Sequence, residues 1–350
     1  MIPHIVCSGS PKTLGFEYGL QCQELIANWI TEVEALIKSR LLVDPEQLYA
    51  RALEYFQPQI AKSAPHLWQE ILGLAEASEQ PPAKIVFLQT ISEFASGLFP
   101  ENTLLAASGI ATRDGHTLIG VNLDFPHEFI EQFLIVRELQ PEQGPRIMLL
   151  AVAGSLGLVG VNDGGLVAAG CSLESSGIQK GLPATILLRL ALEQSNLGAM
   201  VDLVKAAPRA AARNYLLADK LTCLNLETTI STSSELWPEE TGVLVHTNHR
   251  LSTGLCEYDP ALSKWPESPE RYRRCLNLLQ DKVALSVDEL AETLADHVLF
   301  PKGICRHEHD GIKGARTFAS LIIRTAEPAL MVCPGSPCRG KYDCFNFTAE

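Results

Sequence analysis

The stretch 100–125, PENTLLAASGIATRDGHTLIGVNLDF, holds the first residues whose types could do chemistry. Short apolar runs around an Asp-Gly pair predict two strands joined by a tight turn. The first strand begins with the hydroxyl of Thr103, a potential nucleophile, and the second ends with the carboxylate of Asp124, a potential partner for a cation. The stretch has no thiol, because no cysteine lies between Cys22 and Cys171.

A second group of residues, around His307, resembles a metal site. In a strand, His307 and His309 would share one face, as metal ligands must, and Cys305 and Asp310 are close in the sequence. Such a pattern more commonly forms a solvated polar loop, which here would precede Gly311. We therefore predict no metal site here.

The ten cysteines are scattered along the chain and follow no secretory signal. This distribution favours reduced thiols and a cytoplasmic protein. Cys333 and Cys338 flank a Pro-Gly-Ser-Pro sequence, where they could pair or bind a metal, but a plain turn is favoured.

The charge of the chain excludes two classes of partner. With 28 Lys and Arg against 41 Asp and Glu, the net charge is −13, and nucleic acid or an anionic membrane surface requires a basic face instead. No apolar run is long enough to span a bilayer, and no glycine-rich phosphate loop follows a first strand. Arg271, Arg273 and Arg274 lie near glutamates on a predicted helix, which indicates a solvated, salt-bridged face.

The elements that must position these residues change in kind near residue 103. Before it, apolar residues at helical spacing predict a mostly helical segment. After it, short apolar runs separated by Gly, Pro and Asp-Gly predict strands linked by hairpins. The predicted helices cover 25–37, 63–78, 82–97, 182–195 and 197–206. Three more begin at Asp44-Pro45, where Asp44 is the N-cap, at Ser268 and at Ser286. Helices and hairpins in separate runs predict an α+β fold with antiparallel sheets.

Several short motifs, taken in order, resemble one known family. They are SGSPKTLGFEYGLQ, ATRDGHTLIGVNLDF, GLVGVNDGGLVAAG, APRAAARNYLLAD, VHTNH, GICRH and TFASLIIRTAEPALMVCPGSPCRGKYDCF. Each is weak alone, but their order and spacing over nearly the whole chain resemble the acyl-coenzyme A:6-aminopenicillanic acid acyltransferase-like family of N-terminal-nucleophile hydrolases. The resemblance implies one domain over 1–350, an αββα sandwich of four layers with two stacked antiparallel sheets.

The resemblance also implies an unusual chemistry. In this family a precursor cuts its own backbone before a Cys, whose thiol becomes the nucleophile. The freed amino group, with a pKa near ~8, serves as the base. Residues 1–102 would correspond to the small subunit and 103–350 to the large one. The implied activity is hydrolysis or acyl transfer at a linear carbon–nitrogen amide bond, without a cofactor.

The family's Cys falls on Asn102, or on Leu105 if the hairpin is shorter, and three interpretations stay open. Thr103 could replace it, although a shift of one residue along a strand turns the side chain to the other face. The chain could instead be an inactive pseudoenzyme that binds a small acyl or amide ligand. Many relatives have Arg or Gln at the position of Val121, and the absence of that polar side chain here supports a loss of catalysis. Finally, the parent protein could be an ordinary cysteine amidase or acyltransferase, in which design or a sequence error has put Asn102 in place of the nucleophilic Cys.

The resemblance assigns roles to four further residues. Asp124 would hold the new ammonium group, and Asn248 would donate a hydrogen bond to the oxyanion. Asn162 would be a second donor, or simply a hairpin-turn residue. Arg306 would anchor a substrate carboxylate, or else form a surface ion pair. The expected partner is a small amide or acyl compound, with no nucleic acid or membrane, and a homodimer is left open.

Overall fold

The computed structural model describes residues 2–94, 102–125, 130–173, 177–255, 265–308 and 315–349. Its strands are β1 (His4–Gly9), β2 (Thr103–Ala107), β3 (Leu118–Phe125), β4 (Leu134–Pro141), β5 (Ile147–Val152), β6 (Val159–Asn162), β7 (Val167–Ser172), β8 (Arg213–Ala218), β9 (Cys223–Thr228), β10 (Ser233–Leu236), β11 (Val243–His246), β12 (Arg316–Arg324), β13 (Ala329–Pro334) and β14 (Asp343–Asn346). Its helices are α1 (Pro11–Gln21), α2 (Gln23–Leu36), α3 (Pro45–Ser63), α4 (Pro65–Ala77), α5 (Pro82–Leu88), α6 (Ile91–Phe94), α7 (Ala184–Leu192), α8 (Leu197–Ala206), α9 (Ser268–Leu279) and α10 (Val287–Leu294).

The described strands form two sheets. One has the order β1-β4-β5-β6-β7-β8-β9-β10, and the other has the order β11-β2-β3-β12-β13-β14. Hairpins link most neighbours, so nearly all pairs are antiparallel, as predicted. The pair β1–β4 is the exception, because β1 runs parallel to β4. The expectation of purely antiparallel sheets is therefore wrong at this edge. The helices and strands between β1 and β4 supply the long crossover that a parallel pair needs.

The two sheets stack between layers of helices. Strand β2 faces β7 across the interface, and β13 faces β5 and β6. Helices α7 and α8 pack on the larger sheet, whereas α9 and α10 pack on the smaller one. A continuous cluster of buried apolar residues fills the sheet interface, and a second cluster lies under α9 and α10. The predicted α+β fold with four αββα layers is thus confirmed.

Helix α1 lies unusually close to α4, which explains two glycines. A Cβ atom at Gly15 would lie 1.9 Å from the carbonyl oxygen of Glu70. A Cβ atom at Gly73 would lie 2.1 Å from the carbonyl oxygen of Lys12. Only glycine allows two backbones to approach this closely. Gly15, in the first motif, thus serves helix packing and not chemistry.

Several helix ends follow their sequence signals. Ser286 and Glu289 form a complete capping box, in which each side chain bonds the backbone of the other residue. Asp44 caps α3 by accepting a bond from the amide of Glu46. The helix predicted over 82–97 is shorter, because α5 ends at Leu88 and residues 95–97 lie outside the described part. None of the helices described is both long and apolar enough to cross a membrane.

Candidate functional site

A cavity with about 740 Å³ of empty space, part of it open to solvent, lies next to the start of β2. Its walls are mainly apolar and come from the helical segment and from both sheets. The apolar walls are Trp29, Leu88, Ile91, Leu123, Phe125, Ile130, Val152, Leu158, Leu188 and Phe318. Its few polar groups include Asn102 and Arg213. Its mainly apolar walls suit the apolar part of a small molecule.

Asn102, the position of the family's nucleophile, lies in the wall of this cavity. The residue is 2% exposed, and its amide nitrogen donates to the carbonyl oxygen of Gly170 at 2.8 Å. Its amide oxygen lies 3.4 Å from the backbone nitrogen of Asp124. The side chain of residue 102 therefore faces the cavity and contacts the backbone of Asp124, whose carboxylate does not line the cavity. The amide of Asn102 is not itself a nucleophile.

Thr103 points away from the cavity, because neighbouring side chains in a strand alternate between faces. It is fully buried and does not belong to the cavity wall. Its hydroxyl oxygen lies 2.9 Å from Nη1 of Arg271, which donates to it. The same nitrogen lies 3.2 Å from the carbonyl oxygen of Asn102. Arg271 therefore contacts both sides of the Asn102–Thr103 peptide bond.

Arg271 is the main residue that the sequence analysis misplaced. It was expected on a solvated helix face, but its side chain is fully buried. Helix α9 buries one face, formed by Ser268, Arg271, Cys275 and Leu279. Because these four positions follow helical spacing, they share one face of α9. The spacing therefore favours burial of Arg271, whereas its charge favours an exposed position. The neighbouring Arg273 is exposed, as expected.

Asn248 joins the same group of residues through Arg271. Its side-chain oxygen accepts a hydrogen bond from Nη2 of Arg271 at 2.9 Å. Its side-chain nitrogen, the predicted oxyanion donor, donates to the carbonyl oxygen of Ser172 at 3.1 Å. The backbone nitrogen of Asn248 donates to the hydroxyl of Ser268. Asn248 is thus fixed close to the start of β2, but its donor is occupied in this arrangement.

Asp124 is fully buried near the end of β3. Its Oδ1 accepts a hydrogen bond from Thr317 at 2.6 Å, and its Oδ2 lies 3.9 Å from Nε of Arg306. Burial raises the pKa of Asp124 from its ordinary value of 3.8 to about 6, although Arg306, Arg271 and the bond from Thr317 lower it. Because burial outweighs these partners, the ionised carboxylate would gain further from a nearby ammonium group.

Arg306 lies in the interior and not at the surface, so the alternative of a surface ion pair is wrong. Its side chain is 3% exposed, and Nη2 lies 2.8 Å from Oε1 of Glu267. Its backbone nitrogen donates to the hydroxyl of Thr317, which also bonds Asp124. Arg306 therefore lies beside Asp124 in the interior, and its role as a substrate anchor stays a prediction. A substrate carboxylate would have to compete with Glu267 for its guanidinium.

Asn162 lies apart from the other predicted residues. Its side-chain nitrogen donates to the carbonyl oxygen of Leu192 at 3.0 Å, and its side-chain oxygen accepts from the amide of Leu166. These bonds hold the turn after β6 against the end of α7, which is the alternative role that the sequence left open. Asn162 does not line the cavity, and its role as an oxyanion donor stays a prediction.

Arg213 is a site residue that the sequence analysis missed. It lines the cavity beside Gly170, whose carbonyl oxygen bonds Asn102. Its Nε is buried without a hydrogen-bond partner, and within the described residues its guanidinium forms no ion pair. An uncompensated guanidinium in an apolar cavity favours an anionic group on the ligand. Its place within the motif APRAAARNYLLAD was the available signal.

A buried network behind the site was also missed. Cys171 Sγ lies 3.3 Å from Nδ1 of His246, whose Nε2 lies 2.8 Å from Oε1 of Glu227. Burial would raise the pKa of Glu227, but bonds from His246 and Ser252 lower it to about 2. The three side chains have the order of a catalytic triad, yet all are fully buried, and Cys171 is absent from the cavity wall. The network instead joins the two sheets next to Asn248.

The metal-like stretch is described only in part. His309 and Asp310 lie outside the described residues. Cys305 and His307 lie beside His297 and Cys338, which the sequence analysis did not group with them. Cys333 and Cys338 both have free thiols, so they form no disulfide with one another.

The sequence profile of the family described as acyl-coenzyme A:6-aminopenicillanic acid acyl-transferase matches residues 111–339. This chain belongs to that family. The family predicted from the motifs is therefore confirmed. The matched residues contain Asp124, Asn162, Asn248 and Arg306, whereas residue 102 precedes them.

A curated relative and two solved structures add detail. The 40 kDa form of acyl-coenzyme A:6-aminopenicillanic-acid-acyltransferase from Emericella nidulans is 26% identical over 324 residues, which cover 91% of this chain and 88% of that protein. A mutant of the conjugated bile acid hydrolase from Clostridium perfringens is 13% identical, with a TM-score of 0.45, over 71% of this chain and 97% of that one. A penicillin V acylase from Agrobacterium tumefaciens is 11% identical, with a TM-score of 0.47, over 70% of this chain and 86% of that one.

Proposed function

We propose that this member of the acyl-transferase family cleaves or transfers the acyl group of a small acylated substrate at a linear amide bond. The observation that carries the proposal is the contact of Arg271 with both the Thr103 hydroxyl and the Asn102 carbonyl oxygen. This pair of residues lies at the start of β2, next to a mainly apolar cavity. The curated relative is an acyltransferase by name, which supports the same class of reaction. No cofactor is required by this chemistry.

The chain would first cut itself between Asn102 and Thr103. The Thr103 oxygen would attack the Asn102 carbonyl carbon, and the carbon–nitrogen bond would break as the nitrogen takes the proton lost by the hydroxyl. Water would then hydrolyse the resulting ester to a carboxylate at Asn102 and a free hydroxyl at Thr103. Arg271 supports this step, because its Nη1 lies 3.2 Å from the carbonyl oxygen on which negative charge develops.

The new amino group of Thr103 would then act as the base. It would take the hydroxyl proton as the oxygen attacks the substrate carbonyl, and pass that proton to the departing amine. The acyl ester on Thr103 would be transferred to water or to a second amine. Asp124 would stabilise the ammonium form of the new chain end, and Asn248, once it leaves the Ser172 carbonyl, would donate to the oxyanion. Freed from the peptide bond, Thr103 could turn toward the cavity.

The substrate that suits this cavity has an apolar acyl part and a carboxylate. The apolar walls would hold the acyl chain. Arg213, whose guanidinium has no ion-pair partner in the described residues, would hold the carboxylate. An N-acylated amino acid has this chemistry. Residues 1–102 would remain packed against 103–350 after the cut, because the helical segment contributes Trp29 to the cavity wall and Tyr18 to the common core.

A second candidate, ligand binding without chemistry, is favoured by one observation. The residue that faces the cavity is Asn102, and the hydroxyl of Thr103 faces Arg271 instead. Arginine is always protonated and cannot accept the hydroxyl proton. In the described residues no base contacts Thr103. In this second candidate the protein would bind the same small acyl or amide compound and release it unchanged.

One set of variants separates the two candidates. Release of the amine from an N-acylated amino acid is measured with the natural chain, Thr103→Ala and Thr103→Ser. Catalysis by Thr103 predicts that Thr103→Ala loses activity by at least about 100-fold, whereas Thr103→Ser retains part of it. Equal activity in all three would refute the role of Thr103. Saturable binding by an inactive natural chain, measured by calorimetry, would select the second candidate.

A further inference from the structure

Four side chains from three segments of the chain meet at one end of the smaller sheet. His297 follows α10, Cys305 and His307 lie in the segment before β12, and Cys338 lies in the turn between β13 and β14. One ligand atom from each residue lies within 4.8 Å of the others. The cluster is separate from the cavity wall, which contains none of these residues.

Nε2 of His307 lies close to the other three ligand atoms. It is 3.0 Å from Nε2 of His297, 3.4 Å from the Cys305 sulfur and 3.5 Å from the Cys338 sulfur. A tetrahedral zinc ion with bonds of about 2.0–2.3 Å places its ligand atoms about 3.3–3.8 Å apart. The three distances from His307 are close to these values and the other pairs are at most 4.8 Å apart, so a small shift of the side chains would complete the site.

We propose that His297, Cys305, His307 and Cys338 bind one zinc ion. Two thiolates and two neutral imidazoles are a usual ligand set for structural zinc, and their two negative charges match the charge of the ion. All four positions are occupied by protein, so the ion would have no open position for a substrate. The site would therefore stabilise the fold and take no part in acyl chemistry.

The ion would fix the segment that contains Arg306. Cys305 and His307 flank Arg306, whose backbone carbonyl oxygen accepts from the amide of Thr317 at the start of β12. Arg306 in turn contacts Glu267 and Asp124. A zinc ion would tie this segment to the turn after β13, which holds Cys338. Loss of the ion is thus expected to loosen the Arg306 segment first.

The test measures zinc in the full-length protein. The protein is purified without chelator, incubated with zinc sulfate and desalted, and its metal content is measured by plasma mass spectrometry. We expect about one zinc ion per chain. Cys338→Ser and His297→Ala should lower the content to less than about a tenth. His297 is exposed, so its replacement should not prevent folding even if a cysteine variant does. Cys344→Ser, at an exposed cysteine outside the cluster, is the matched control.

Cobalt gives an independent readout. The protein loaded with Co²⁺ should show the absorption of thiolate-to-metal charge transfer, and Cys338→Ser should weaken it, whereas Cys344→Ser should not. The proposal would be overturned by a natural chain that takes up no zinc. It would also be overturned by zinc content that neither cluster variant changes, or by a Cys305–Cys338 disulfide in the freshly purified protein.

Discussion

Nη1 of Arg271 lies 2.9 Å from the hydroxyl oxygen of Thr103, in the interior of a chain whose expected nucleophile position is Asn102. The same nitrogen contacts the carbonyl oxygen of Asn102. A guanidinium donates along several directions from a rigid plane, so one side chain can hold both partners of a self-cleavage step. This relationship links helix α9 to the start of β2.

Replacement of Arg271 by Lys is expected to slow self-cleavage by about 100-fold, the usual effect of losing an oxyanion donor. Lys keeps the charge but cannot hold the carbonyl of Asn102, Thr103 and Asn248 together. The measurement is a time course of intact mass. Arg273→Lys, on the exposed face of the same helix, is the matched control. An unchanged time course for Arg271→Lys would remove Arg271 from the reaction.

Replacement of Asn102 by Cys should restore the family's own nucleophile. The side chain at this position already faces the cavity and contacts the backbone nitrogen of Asp124. We expect a cut before residue 102, shown by a large fragment one residue longer than 103–350, together with amide hydrolysis that iodoacetamide abolishes. Asn102→Ala is the control and should give neither. An Asn102→Cys variant that stays whole would show that more than the nucleophile has changed.

Replacement of Arg213 by Gln should weaken the binding of anionic substrates. Loss of a charge-assisted bond predicts a KM raised by about 10- to 100-fold for an N-acylated amino acid, with little change for the corresponding neutral amide. Arg113→Gln, at an exposed arginine, is the matched control. If both substrates lose affinity equally, Arg213 supports the cavity wall and does not select for charge.

Asp124 predicts a specific pH dependence of stability. Its folded pKa of about 6 exceeds its ordinary value of 3.8. The folded state therefore binds the proton more tightly, and this contribution to stability is complete below pH 3.8 and is lost as the pH rises through about 6. The difference between the two values corresponds to about 3 kcal/mol. In the uncut Thr103→Ala chain, which has no new ammonium group beside Asp124, replacement of Asp124 by Asn should thus raise the free energy of unfolding by up to that amount as the pH rises from about 4 to about 8.

The measurement for Asp124 is urea unfolding of the uncut Thr103→Ala chain, with and without Asp124→Asn, at several pH values. Asp202→Asn in the same chain, at an exposed carboxylate on α8, is the matched control. In the natural chain, Asp124→Asn should abolish amide hydrolysis, because Asn cannot neutralise the new ammonium group. An Asp124→Asn protein that is less stable than the Thr103→Ala chain at about pH 8 would show that the carboxylate is well compensated by Arg306.

Local signals in the sequence were sufficient for most of the fold. The hairpins after residue 103, the capping box at Ser286 and the helix start at Ser268 follow from short-range patterns. The parallel pairing of β1 with β4 could not be predicted, because the two strands are separated by a long stretch of chain and no local pattern records that contact.

The motifs named candidate residues, but they did not give the direction in which packing turns each side chain. Asn102, Asp124, Asn248 and Arg306 lie close together, whereas Asn162, which a motif also named, lies apart. Their catalytic roles stay predictions. Arg271 was misplaced because charge was given more weight than helical spacing. The grouping of Cys338 with His307 depends on the path of the chain between them, which no spacing records.

The most direct test of the catalytic account is the intact mass of the freshly purified full-length protein. The account predicts two species, with the masses of 1–102 and 103–350, that migrate together on a sizing column. A single uncut chain that stays whole through a long incubation at neutral pH would contradict it and leave a protein that binds its ligand without chemistry.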